Sequence, residues 1–423
     1  MVRNPCNWDA EHVYIEEIEW MFAGGDLGTD YYRKLYEAGE IDGFRLKEDD
    51  ASGVEFYIYG SDGTGTYDAP ARAEAVVRGS VSPYTYHNIW NYGRDSFIGS
   101  ELTEEQHTAT QTPIYNADFR LAYMFGYDRS QMLGFYTPDN PLQWARNTYS
   151  PRELAADSNG RDYVEYVYDV ISEKEGIPRE DVNAMYEDGV DALYNSTLAT
   201  SHFAAAKATL IAEGLSESDF PIQVEMVTSY NAEKIPFYVA VADKFNSEFG
   251  EYMELVLVIP ANADEYSLWK SQNKSYDMWD QMGWGPDYQD PKTYLNTYAI
   301  SGDMISYAGL GEDEVDIQNS VLGDFDVLFQ EAADITDSLD LNERMRKFAE
   351  AEYQLIFVDA IIYPYFSPRG DDVFISRVKP FSINSVNYGL GKYKYKGMIV
   401  LEEAITAEER ATLEAELEAE RNA

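Results

Sequence analysis

The chain has 423 residues, of which 45% are hydrophobic and 14% aromatic, so it can bury extensive cores and is expected to form about two or three domains. Its 76 acidic residues against 32 basic ones give a formal charge of −44, which argues against binding nucleic acid because the phosphates would be repelled. The single cysteine, Cys6, excludes an intrachain disulfide and a cysteine metal cluster.

The first part of the chain predicts a short α/β unit. Apolar residues at 13–18 and the β-branched and aromatic residues at 54–59 predict two strands, and 30–38 predicts a helix that ends at Gly39. A helix is predicted over 119–132, where apolar residues follow a helical stripe.

A regular alternation of helices and strands begins near residue 202. Helices are predicted over 202–212, 232–249 and 261–270, and strands over 222–228, 252–259 and 276–282. This spacing predicts parallel pairing with right-handed crossovers. Helices over 324–336 and 342–357, a strand over 361–366 and a C-terminal helix over 406–420 complete the chain. The longest apolar runs are strand-sized, so no transmembrane helix is predicted.

The segment from 276 to 298 is the one most suggestive of function. A predicted strand enters a loop with the sequence Trp284-Gly-Pro-Asp287-Tyr288-Gln-Asp290-Pro291. Loops after parallel strands are common ligand sites, and a carboxylate there could pair with a ligand cation beside a covering indole. The aspartates could equally form turns and a helix start, which is the commoner use of such residues. Spacing alone leaves both interpretations open.

Several runs of residues, in matching order, resemble the oligopeptide and dipeptide solute-binding proteins (family 5) that serve ABC importers. The segment at 283–291 is similar to the family's Gly-Trp-x-x-Asp-Tyr-x-Asp-Pro signature. Other similar runs are Asn4-Pro-Cys-Asn-Trp8, Gly39-Glu-Ile-Asp42, Asn116-Ala-Asp-Phe-Arg120 through Arg129, and the last helices with Ile362-Tyr-Pro364. The resemblance therefore covers nearly the whole chain.

The resemblance implies an α/β, two-lobed periplasmic-binding-protein-like fold with a hinge. The implied domains are a remnant of the first lobe at 1–92, a second lobe at 93–368 with its ligand-facing loop at 283–291, and a return to the first lobe with an acidic tail at 369–423. The implied function is to bind oligopeptides between the lobes, without catalysis or cofactor, and to deliver them to an ABC permease in the membrane. The protein is expected to be a monomer.

The resemblance also implies the residues of the site. Asp287 occupies the position whose carboxylate holds the peptide's α-amino group, and Trp284, Gly285 and Pro286 occupy positions whose backbone pairs with the peptide. Pro286 departs from this role because proline has no N–H to donate. Tyr288 belongs to the same run. On the return strand, Tyr365 and Phe366 are further candidates for the edge of the site.

The start of the chain departs from the family pattern. The run at 4–8 lies well inside the first lobe of family members, so an N-terminal truncation is expected, with one incomplete lobe. The chain shows no signal peptide or lipid-anchor motif around Cys6. The resemblance nevertheless implies an extracytoplasmic location, at the cell surface or in the periplasm, for a full-length protein.

Other functions stay open on the sequence. The 35 tyrosines suit an oligosaccharide-binding protein of the same fold, and another solute such as a metal chelate is a further alternative. A secreted hydrolase would need two opposed carboxylates, which the sequence cannot select among 76 acidic residues. No metal site is predicted, because the four histidines show no ligand spacing.

Overall fold

The computed structural model describes residues 1–21, 28, 30–47, 50–59, 76–77, 82–311, 315–368, 372–382, 395–403 and 407–421. They divide into two compact units, residues 1–82 with 369–423, and residues 83–368. The described strands are β1 Gly43–Arg45, β2 Val76–Val77, β3 Thr85–Trp90, β4 Ile222–Val227, β5 Met253–Val258, β6 Met278–Trp284, β7 Ile362–Phe366 and β8 Asp372–Ser376.

The described α-helices are numbered in chain order. They are α1 Tyr31–Glu37, α2 Ala51–Val54, α3 Glu104–Tyr115, α4 Ala117–Gly126, α5 Arg129–Leu133, α6 Tyr163–Glu175, α7 Arg179–Tyr186, α8 Ser196–Glu213, α9 Ile235–Phe249, α10 Ala263–Ser267, α11 Lys292–Leu295, α12 Val315–Ala333, α13 Leu341–Tyr353 and α14 Ala407–Arg421. Among the described residues, no helix is both long enough and apolar enough to cross a membrane.

The first unit contains a small sheet in the order β1–β8–β2, with antiparallel pairing. The strand predicted at 54–59 is wrong, because α2 continues there as a π-helical turn over Glu55–Tyr59. The Asp50 side chain starts this helical segment by accepting a hydrogen bond from the Gly53 N–H at 3.1 Å. At 13–18 the predicted strand is reduced to one bridge, between Val2 and Glu17.

The second unit is built around a five-stranded sheet in the order β5–β4–β6–β3–β7. Strand β4 pairs in parallel with β5 and β6, whereas β3 pairs antiparallel with β6 and β7. The predicted alternation of strands and helices is confirmed here, with β4, α9, β5, α10 and β6 in the expected places. The predicted boundary at 92 would place β3 with the first domain, but β3 pairs within the sheet of the second unit.

Strand β6 delivers the candidate loop to one end of this sheet. Its parallel pairing with β4 involves Met278 and Trp279, and its far end pairs with β3, where Trp284 lies opposite Thr85. Residues 280–284 therefore extend past the carboxyl end of β4. This is the end of an open α/β sheet at which ligands commonly bind.

Candidate functional site

The loop that follows β6 is pinned to the start of α11. The indole Nε1 of Trp284 donates to the carbonyl oxygen of Thr293 at 2.8 Å, and the Asp287 N–H donates to Thr293 Oγ1 at 2.8 Å. Trp284 also packs partly against the core of the second unit. Its ring is therefore a fixed wall of the loop, and the backbone of Asp287 is held in one place.

Asp290 has a structural role in this loop. Its carboxylate accepts the Lys292 N–H at 2.9 Å and forms a two-pronged ion pair with Arg344, with Nη2 to Oδ1 at 3.0 Å and Nε to Oδ2 at 3.2 Å. The Arg344 Nη1 also donates to carbonyl oxygens at and just after the end of α12, including that of Ile335 at 2.8 Å. This guanidinium ties the loop to two helices, and Asp290 is the turn-forming aspartate that spacing allowed.

Asp287 differs from Asp290 in every one of these respects. Its side chain is exposed, and within the described part of the chain its carboxylate takes part in no hydrogen bond or ion pair. The N–H and C=O of Gly285 are likewise without a partner among the described residues. The loop thus presents a carboxylate and, two residues before it, an N–H and a C=O that have no partner among the described residues. These groups suit an ammonium and an extended main chain.

The other two residues of the run have different surroundings. Pro286 is buried, so the loop bends into the protein between Gly285 and Asp287. Tyr288 is 41% exposed. Partial burial, and then the carboxylates of Asp290 and Asp287, raise the pKa of its phenol, so the hydroxyl stays a neutral hydrogen-bonding group.

Two tyrosine rings lie against the glycines of this segment. A Cβ at Gly285 would come within 2.6 Å of the Tyr84 ring, and a Cβ at Gly283 within 2.8 Å of the Tyr86 ring. Only glycine leaves room for rings at this distance. The tyrosines precede or lie in β3, and the register of β3 with β6 places Tyr86 opposite Gly283.

The structure places Tyr365 and Phe366 in different environments. Tyr365 is fully buried, with its hydroxyl 3.4 Å from that of Tyr127, so its side chain lies in the core. Phe366 is 2% exposed and stacks on Tyr86, with ring centroids 4.6 Å apart and planes 8° from parallel. Phe366 thus supports a ring next to the loop. Their role as ligand contacts stays a prediction.

Sequence reasoning missed the rings that surround Phe366. Tyr136 and Trp144 lie beside it, at centroid distances of 5.1 and 6.2 Å, and stack on each other at 5.1 Å. Both come from the stretch between α5 and α6, far in sequence from β6. Tyr86, which was not among the predicted site residues, is partly exposed. The signal available in the sequence was a shared spacing: Gly283 and Gly285 are two residues apart, and so are the tyrosines Tyr84 and Tyr86.

Charged side chains are buried next to the same part of β6. The ammonium of Lys270 donates to the carbonyl oxygen of Asp280 at 3.1 Å, and both residues are almost fully buried. Burial lowers the pKa of Lys270 and raises that of Asp280, and the attraction between the two groups opposes both shifts. Lys234 lies nearby and donates to Tyr136 Oη at 2.6 Å, and Tyr136 in turn donates to Gln281 Oε1 at 2.8 Å. These contacts fix the strand ahead of the loop.

Metal-ligating geometry among the described residues is confined to the first unit. Asp9, Glu11 and His12 lie close enough to share an ion, but Asp9 already pairs with Lys396. This acidic group belongs to a different unit from the loop after β6. It adds nothing to the candidate site.

Several curated proteins are similar to the chain over most of its length. It is 28% identical to the oligopeptide-binding protein AliA of Streptococcus pneumoniae, over 96% of this chain and 60% of that protein. It is 26% identical to the oligopeptide-binding protein SarA of Streptococcus gordonii, again over 96% and 60%. The chain thus spans about 60% of the length of these relatives. No family model matches it.

Solved structures share the fold. Listeria monocytogenes OppA bound to peptide matches with a TM-score of 0.53 and 17% identity, over 95% of this chain and 61% of that one. The substrate-binding domain of an oligopeptide ABC transporter from Bacillus anthracis matches with a TM-score of 0.52 and 18% identity, over 88% and 57%. The predicted fold class is confirmed by these matches.

Proposed function

We propose that the chain is an oligopeptide-binding solute-binding protein, which acts as the substrate-binding component of an ABC importer. The observation that carries this proposal is the carboxylate of Asp287. It is exposed at the carboxyl end of the sheet, on a loop held in place by Thr293, and is unpaired within the described part of the chain.

In the proposed complex, Asp287 accepts a charge-assisted hydrogen bond from the α-ammonium of the peptide. Gly285 offers one N–H and one C=O to the peptide main chain, in the manner of an added strand. Pro286 contributes no donor, so Gly285 supplies the N–H of this turn. Trp284 and Tyr288 flank these polar groups. Main-chain bonds of this kind are independent of the peptide's sequence.

The charge of the chain supports a cationic end group on the ligand. A formal charge of −44 attracts ammonium groups and repels free anions. We also propose that the protein acts outside the cytoplasm as a monomer. It would deliver its peptide to a membrane permease without catalysis. The relatives described above are named oligopeptide-binding proteins.

The proposal can be tested by isothermal titration calorimetry with mixed oligopeptides, with their N-acetylated forms and with oligosaccharides. We expect binding of the free peptides, loss of about tenfold or more in affinity on acetylation, and no heat from sugars. Binding of oligosaccharides in place of peptides would refute it. Release of cleaved products from peptides would favour a hydrolase instead.

A further inference from the structure

We infer that a strip of aromatic rings beside the loop is a side-chain subsite, selective for peptides with an aromatic residue among their first few positions. The aromatic strip consists of Tyr84, Tyr86, Phe366, Tyr136 and Trp144. This inference rests on the proposed function, because it takes the peptide's amino end to lie at Asp287.

The strip is continuous with the loop. Tyr84 lies against Gly285, and Tyr86 lies against Gly283, at the 2.6 and 2.8 Å approaches that only glycine permits. Tyr86 then stacks on Phe366, which lies opposite it in β7. The rings therefore extend across β3 to β7, starting beside Gly285, which is two residues before Asp287.

The far end of the strip is held by a second layer of contacts. Tyr136 packs on Phe366 and stacks on Trp144, with both centroid distances at 5.1 Å. Its hydroxyl accepts from Lys234 and donates to Gln281, so the ring cannot turn away without losing two hydrogen bonds. The strip is thus a rigid surface, which a ligand can use without first ordering it.

The exposure of the rings leaves apolar surface available. Phe366 is buried beneath its neighbours, Tyr86, Tyr136 and Trp144 are partly exposed, and Tyr84 is 51% exposed. Rings presented in this way gain both apolar burial and favourable edge or stacked contacts when another ring joins them. An aromatic side chain of the peptide is the ligand group that would obtain both the apolar burial and the ring contacts.

The distances fit a peptide whose ammonium is at Asp287. Gly285 is two residues from Asp287, so the start of the strip lies within about 7 Å of that backbone position. Neighbouring strands lie about 4.8 Å apart, and an extended peptide advances about 3.3 Å per residue, so its first three residues span about 10 Å. That span reaches the ring of Tyr84, and an aromatic side chain at the third position would extend from there toward Tyr86.

The test uses free-amino hexapeptides of otherwise identical sequence, with Phe or Ser at position 1, 2, 3 or 5. Calorimetry on the unaltered protein should show tighter binding of Phe by about tenfold at one or more of the first three positions, and little difference at position 5. Equal affinities for Phe and Ser at all four positions would overturn the inference.

Two variants assign the preference to the strip. Tyr86→Leu should reduce the Phe-over-Ser ratio to about threefold or less while keeping the loss of affinity on N-acetylation. Gly283→Ala adds a Cβ that displaces the Tyr86 ring, and should reduce the ratio in the same way. Tyr115→Leu, at a tyrosine of 41% exposure on α3, is the matched control and should keep the ratio. Thermal melts of each variant verify that it is folded.

The outcomes separate this inference from the proposed function. Loss of affinity on acetylation together with an unchanged Phe-over-Ser ratio in both Tyr86→Leu and Gly283→Ala would overturn the inference and leave the proposed function standing. A protein that binds none of the peptides would refute the proposed function and this inference with it.

Discussion

At the scale of single residues, two aspartates three positions apart have opposite roles. Asp290 accepts a backbone N–H and the fork of Arg344, which is what a turn-forming aspartate does. Asp287 has an exposed carboxylate with no partner in the described part of the chain. The sequence could not assign the two roles, because both aspartates lie in a polar loop. Only the contact of Arg344 with Asp290 distinguishes them.

A second residue-scale feature concerns Asp359, whose pKa is raised by burial to about 6 from its ordinary value of 3.8. The folded state therefore holds the proton more tightly than the unfolded state. The contribution of Asp359 to the free energy of unfolding is fully present below about pH 4 and is lost as the pH rises through about 6.

We predict that Asp359→Asn is more stable than the unaltered protein at pH 8, by roughly 2 kcal/mol, and equally stable at pH 4. The asparagine oxygen can still accept the hydrogen bond that Gln354 Nε2 donates at 2.9 Å. Chemical denaturation at the two pH values measures the difference, with Asp243→Asn, an exposed aspartate on α9, as the control. Lower stability of Asp359→Asn at pH 8 would contradict the assignment.

At the scale of elements, the sequence predicted the second unit far better than the first. Periodicity identified β4, α9, β5, α10 and β6, because each is either a short apolar strand or a helix with one apolar face. The residues at 54–59 carry the same β-branched and aromatic types, but a capped start at Asp50 makes them helical. A local hydrogen bond of this kind leaves no trace in the hydrophobic pattern.

The aromatic strip shows a second limit at this scale. Tyr86 meets Gly283 and Phe366 only because of the registers of β3 with β6 and with β7. Tyr136 and Trp144 come from the stretch between α5 and α6, whose sequence around them carries no periodic signal. Contacts between residues so distant in sequence depend on strand order and register, which one sequence does not specify.

The anchoring of the loop by Arg344 gives a prediction for α13. Arg344→Ala removes the ion pair with Asp290 and takes a donor from carbonyl oxygens at and just after the end of α12. We expect unfolding free energy to fall by about 2–4 kcal/mol and peptide affinity to fall with it.

Denaturant unfolding and calorimetry on Arg344→Ala provide this measurement. Lys347→Ala is the control on the same helix, because its pair with Glu331 is well exposed and should contribute less than about 1 kcal/mol. If the Arg344 and Lys347 variants lost the same stability, the anchoring role would be wrong.

At the scale of the whole molecule, charge is the dominant physical property. A formal charge of −44 means that the folded chain repels itself, and screening by salt reduces this repulsion. We predict a higher melting temperature at about 300 mM NaCl than at about 10 mM. A melting temperature that fell with added salt would show that attractive ion pairs outweigh the repulsion.

Asp287 is the residue that we propose to bind the α-ammonium of a peptide. The most direct measurement compares free and N-acetylated forms of one peptide on the unaltered protein and on Asp287→Asn, by calorimetry, with Asp243→Asn as the matched charge change. We predict that acetylation costs the unaltered protein and Asp243→Asn about 1.5–3 kcal/mol, or roughly tenfold to a hundredfold in affinity, and costs Asp287→Asn almost nothing. An equal loss on acetylation in all three proteins would contradict it.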